Sequence, residues 1–138
     1  MERYFIIAGS SVLLILGVLH FVYTFFTNKL APRNHQALTM MENENPVLTK
    51  RTTIWKSWVG FNASHSIGII FFAIINILLA SQHLEIHQKT LSIILLDDVC
   101  LALYLFLGKR YWFKKPFLGI LTAFLCFIVA SALIVIHK

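Results

Sequence analysis

His20, Asn62, His65, Asp97 and Asp98 all fall inside long apolar runs of the chain. An imidazole beside a carboxylate can move protons by general acid–base chemistry. Two imidazoles can ligate a haem iron, and two imidazoles with a carboxylate can hold a divalent metal. Imidazole, carboxamide and aromatic neighbours together can receive the polar end of an apolar molecule. The same groups can also do no more than bond one helix to another. Which chemistry applies depends on which side chains meet, and so on the elements that carry them.

The 138 residues are 58% hydrophobic and only 13% charged, with a mean hydropathy of +0.76. Soluble domains carry about 25% charged residues, so a bilayer is the expected solvent for this single domain. The net charge of +6 does not indicate a nucleic-acid partner, because the basic residues lie between apolar segments and form no long arm. Cys100 and Cys126 both sit in apolar runs and read as small buried hydrophobes.

A hydrocarbon core of about 30 Å requires about 20 apolar residues in a helix. Four segments qualify, at about 4–26, 57–80, 90–108 and 116–136. Pro116 suits a first helical turn, and Gly108 is placed to end the third span. The first segment does not resemble a cleaved signal peptide: its apolar part is too long and no small-residue cleavage site follows. The fold class predicted is all-α, an integral membrane four-helix bundle.

Linkers 27–56 and 109–115 hold nine of the twelve Lys and Arg residues. The positive-inside rule places both linkers in the cytoplasm and both termini outside. Trp55, Trp58, Tyr111 and Trp112 fall on the same basic side, as interfacial aromatic residues do. Within 27–56, "APRNHQALTMMENENP" can form a short surface helix between Pro32 and Asn45–Pro46, or remain a solvated loop.

Counted from the span midpoints, His20 lies about 7 Å and His65 about 5 Å to the cytoplasmic side. Asn62 is one turn further out, and Asp97 and Asp98 are near the bilayer centre, so all five fall within a slab of roughly 12 Å. Trp58, Asn62, His65, Ile69, Phe72 and Asn76 form one stripe on the second span. Ser10, Gly17, His20 and Thr24 share a face of the first, and Asp97, Cys100, Leu101 and Tyr104 a face of the third. Span four reads as packing. Gly60, Ser64 and Gly68 make a ridge of small residues beside the polar stripe, suited to close approach of another helix.

Charged groups at membrane depth face the protein interior and pair. The expected site is therefore a polar pocket of His20, Trp58, Asn62, His65, Asp97, Asp98 and Tyr104, binding or acting on a lipid-like or quinone-like molecule. Haem b held by His20 and His65, or a divalent metal held by these and Asp97, are lesser alternatives. The alternative from another class is a non-catalytic accessory subunit, in a homo-oligomer or larger membrane complex, whose polar residues only fix packing. The sequence leaves enzymatic activity open. "HLEIH" puts His83 and His87 one helical turn apart, a possible metal clip that reads better as a polar outer loop. The sequon at Asn62 lies within a span and is discounted.

The stretch "WVGFNASHSIG" resembles an uncharacterised family of small four-span bacterial inner-membrane proteins with a W-x-G-F-N-x-S-H-S-x-G motif opening the second helix. "GSSVLLILGVLH", from Gly9 to His20, is similar to that family's first helix. In architecture alone the chain is also similar to DoxX-like proteins. The resemblance implies a bacterial inner membrane and points to His20, Asn62 and His65, but it brings no activity with it.

Overall fold

The computed structural model describes residues 1–137. Among them the chain is all-helical, 82% helix with no strand. In chain order the helices are α1 (Glu2–Phe26), α2 (His35–Asn43), α3 (Ile54–Gln82), α4 (Leu84–Lys89), α5 (Leu91–Tyr111) and α6 (Lys114–Ile136). α1, α3, α5 and α6 are long and apolar enough to cross a membrane. At about 1.5 Å per residue they measure roughly 30 to 45 Å. Large apolar side chains point outward, with Phe61 69%, Leu96 68% and Phe106 65% exposed, which suits lipid and not water. The chain fits a multi-pass membrane protein.

The helix ends differ from the sequence expectation in an informative way. α3 takes in Trp55 and Lys56 at its start, and α5 runs past Gly108 to Tyr111. Gly108 is therefore not the stop. The Trp112 amide closes the last turn on the Gly108 carbonyl at 3.2 Å. A backbone amide near lipid is better satisfied within a helix than left open, so the helices continue beyond their apolar windows into the interfacial residues. Pro116 does lie in the first turn of α6. In the long linker, Asn34 caps α2 by accepting from the Gln36 amide at 2.9 Å. The segment read as an outer polar loop is helical, as α4.

The chain packs as two compact units, residues 1–16 with 69–138, and 17–68. In the first, four long helices contribute an apolar core: Ile6 and Leu13 from α1, Ile69, Ala73 and Ala80 from α3, Ile94 and Leu101 from α5, and a stripe from Ile120 to Ile134 on α6. The α6 members Ile120, Ala123, Phe127, Ala130 and Ile134 recur every three or four residues, the spacing of a packed helical face. Without a hydrophobic drive between helices in lipid, close contact of small residues does the work. Gly9 is the clearest case: a Cβ there would lie 3.0 Å from the Phe127 ring and 3.1 Å from the Ala123 carbonyl and Cys126 Cβ.

The second unit contains the last turns of α1, the linker with α2, and the first half of α3. The Ile54 amide donates to the Glu44 carbonyl at 2.9 Å, and the Asn45 amide group to the Thr52 carbonyl at 2.6 Å, so the linker is folded back on itself. Gly60, Ser64 and Gly68 are exposed here. An added Cβ at Gly60 or Gly68 meets nothing within 4 Å. Within this unit no described residue makes the close approach expected along that ridge, whereas Gly17 is buried.

Candidate functional site

In the 17–68 unit, α1 supplies His20 and α3 supplies Trp58, Asn62 and His65. The Asn62 amide nitrogen donates to the Trp58 carbonyl at 2.8 Å, its own preceding turn. That contact turns the amide oxygen toward α1, where it lies 3.0 Å from His20 Nε2. An amide oxygen only accepts, so the network assigns the hydrogen to His20 Nε2. The His65 ring meets the His20 ring edge to face, centroids 5.4 Å apart. Asn62 is buried, but both imidazoles are only half-buried.

Trp58 donates its indole N–H to the Leu30 carbonyl at 3.2 Å and so ties α3 to the linker. Beside it a small cleft is lined by Thr24, Thr27, Trp55, Trp58 and Asn62 among others. Its volume is about 10 Å³, enough for about one water. The cleft has polar and aromatic lining residues but no room for an apolar ligand.

The 1–16 and 69–138 unit holds the carboxylates. Asp97 Oδ1 accepts from the Asn76 amide nitrogen at 3.4 Å, and Asp97 Oδ2 lies 3.6 Å from His87 Nε2. The same Nε2 lies 3.1 Å from Asn76 Oδ1. Asp98 turns to another neighbour, accepting from the Ser131 hydroxyl at 2.6 Å. Tyr104 packs on Trp112, with ring centroids 6.3 Å apart. Asn76, His87, Asp97, Asp98 and Ser131 are all less than a tenth exposed.

Within each unit the expected residues have these neighbours. His20, Asn62 and His65 come together, with Trp58 one turn away. Asp97 joins Asn76 and His87, Asp98 joins Ser131, and Tyr104 joins Trp112. Among the described residues no three His, Cys, Asp or Glu side chains gather as a metal site needs. Rings in edge-to-face contact also leave no gap for a porphyrin between His20 and His65.

His87 and Ser131 are the residues that sequence reasoning missed. His87 does not form a clip with His83: it is wholly buried, while His83 is exposed and pairs with Glu85 at 3.4 Å. The Glu85 carboxyl is held below the usual carboxylate range, first by its own backbone amide and then by His83. A six-residue helix is too short for periodicity to reveal its buried face. The one available signal was a histidine between Ile86 and Gln88, close to a span bearing two acids.

The chain matches no protein-family model, no curated protein and no solved structure.

Proposed function

We propose that this chain is a multi-pass membrane protein that receives the polar end of a lipid-like or quinone-like molecule at His20, Asn62 and His65. The observation that carries this reading is the half-exposure of the two imidazoles. Polar groups that only lock helices are best placed fully between them, as Asn76 and Asp97 are. An imidazole pair left partly open at a surface that faces lipid is accessible to a molecule diffusing in the bilayer. The indole rings of Trp55 and Trp58 supply an apolar wall next to it. The charge bias of the linkers supports an orientation with residues 27–56 and 109–115 in the cytoplasm, and the motif resemblance supports a bacterial inner membrane.

Decylubiquinone is a suitable first probe, because quinones quench tryptophan and two of the three tryptophans line the cleft. In nanodiscs, saturable quenching is expected. Asn62→Leu should weaken it about tenfold, equivalent to about 1.4 kcal/mol. Linear quenching, equal in both proteins, would remove this reading for quinones.

The second reading, a non-catalytic accessory subunit, is favoured by one specific observation. The cleft of about 10 Å³ is far below the roughly 300 Å³ of a preformed ligand site, while the Gly60–Ser64–Gly68 face stands open to a partner helix. Native mass spectrometry from mild detergent tests it. A dimer or complex lost in Gly68→Leu would support the subunit reading, and a monomer in both proteins would oppose it.

A further inference from the structure

His87 is 0% exposed and belongs to neither reading above. Its neighbour Asn76 cannot turn its amide round. The Asn76 nitrogen is directed at two acceptors, the Phe72 carbonyl at 3.2 Å and Asp97 Oδ1 at 3.4 Å. Only the amide oxygen is left for His87, at 3.1 Å from Nε2. An amide oxygen accepts and never donates, so Nε2 carries a hydrogen whatever the charge of the ring. The position free to gain or lose a proton is Nδ1. That atom is buried and has no hydrogen-bond partner among the described residues. Asp97 Oδ2 is also without a hydrogen bond, and lies 3.6 Å from the Nε2–H.

We propose that His87, Asn76 and Asp97 form a buried proton-binding site, with His87 Nδ1 as the atom that takes the proton and Asp97 as its counter-ion. The balance is simple. A proton released by water adds to the Nδ1 lone pair and gives an imidazolium, leaving hydroxide in the bulk to be neutralised by buffer. The imidazolium and the Asp97 carboxylate then cancel. A lone ionised Asp97 in an apolar interior is costly, and the bound proton offsets that cost by supplying a counter-charge at 3.6 Å. Asn76 makes this a binding site and not a relay. If Nε2 passed its hydrogen to Asp97, its lone pair would face the Asn76 oxygen, which cannot turn away. The proton therefore enters and leaves at Nδ1.

The other ionisable groups that bear on the site can be named. Glu2 of α1 accepts from Gln88, the residue after His87, at 2.8 Å. Asp98 of α5 is occupied by Ser131 of α6, and Cys100 lies one turn beyond Asp97. α3 contributes Asn76 alone. His87 is the one basic side chain within ion-pair distance of Asp97 among the described residues.

The test is nitrogen NMR on the full chain, labelled with ¹⁵N-histidine, in phosphatidylethanolamine–phosphatidylglycerol nanodiscs. Between mildly alkaline and mildly acidic buffer, the His87 Nδ1 signal should move from the bare-nitrogen position to the N–H position, while Nε2 stays protonated. Asp97→Asn keeps the size and hydrogen bonding of the side chain, and should abolish that movement over the same range. Asp98→Asn should leave it intact. A wild-type Nδ1 signal that never moves would overturn the proposal, as would loss of the proton from Nε2 or an unchanged transition in Asp97→Asn. The wild-type spectrum decides even if a variant fails to fold, and none of these outcomes depends on whether a ligand binds near Asn62.

Discussion

Both polar clusters set an asparagine against an imidazole, yet one is half open and the other closed. His20–Asn62–His65 has its imidazoles at the surface of two helices. His87–Asn76–Asp97 is buried, with α4 supplying the histidine. Both use an asparagine whose amide nitrogen is held by the carbonyl four residues earlier, so that its oxygen meets an imidazole. The shared device fixes a tautomer in each case. The difference lies in what surrounds it, and it implies that the closed cluster carries more of the stability while the open one can be altered with less damage to the fold.

His87→Ala should produce the largest effect. It opens a cavity and strands Asp97 without its partner, at a cost of about 3–5 kcal/mol if the pair is ionised. Thermal unfolding in detergent measures this, and a loss as small as that of His20→Ala would erase the distinction between the clusters. Gly9→Leu comes next. It forces a side chain against Phe127 and the Ala123 carbonyl, where overpacking costs about 1–3 kcal/mol. Gly68→Leu, with open space at its Cβ, should melt like the wild type, so the pair of variants tells apart the packed and the open small residues. Asn62→Leu should cost about 0.6 kcal/mol, a typical interhelical hydrogen bond in a membrane, while removing most of the quinone quenching. His83→Ala is the smallest: it breaks an exposed pair with Glu85, and no shift in melting should be detectable.

Orientation offers a separate check. Reporters active only in the cytoplasm, fused after residue 138, should be silent, while one inserted near Lys50 should be active. The reverse pattern would invert the assignment of the two basic linkers.

The spans were legible because bilayer thickness sets a length that composition alone can reveal, and all four were located to within about three residues at each end. The errors arose at Trp55, Lys56 and Tyr111, where residues polar enough to leave a hydropathy window still continue a helix. The meeting of His20, Asn62 and His65 followed from depth and helical face, both of which are local properties. The partner of Asp97 was not legible in that way. Depth suggested residues at the same level on other spans, but the histidine that reaches it comes from α4, whose place depends on how the chain turns between α3 and α5. The ridge at Gly60 and Gly68 shows a related limit of sequence: small residues permit a close approach, and only the partner's position decides whether one occurs.

The adjacent carboxylates of α5 also have a bearing on how the protein is made. An aspartate at the centre of a helix costs about 2.5–3.5 kcal/mol during insertion by the translocon, and α5 carries two on the shortest of the four spans. Ser131, the group that takes up Asp98, is on α6 and is synthesised after α5. α5 also packs against α6 more extensively than against any other single helix. If α5 crosses the membrane, it is poorly suited to leave the translocon before α6, and the expected unit of insertion is the α5–α6 hairpin.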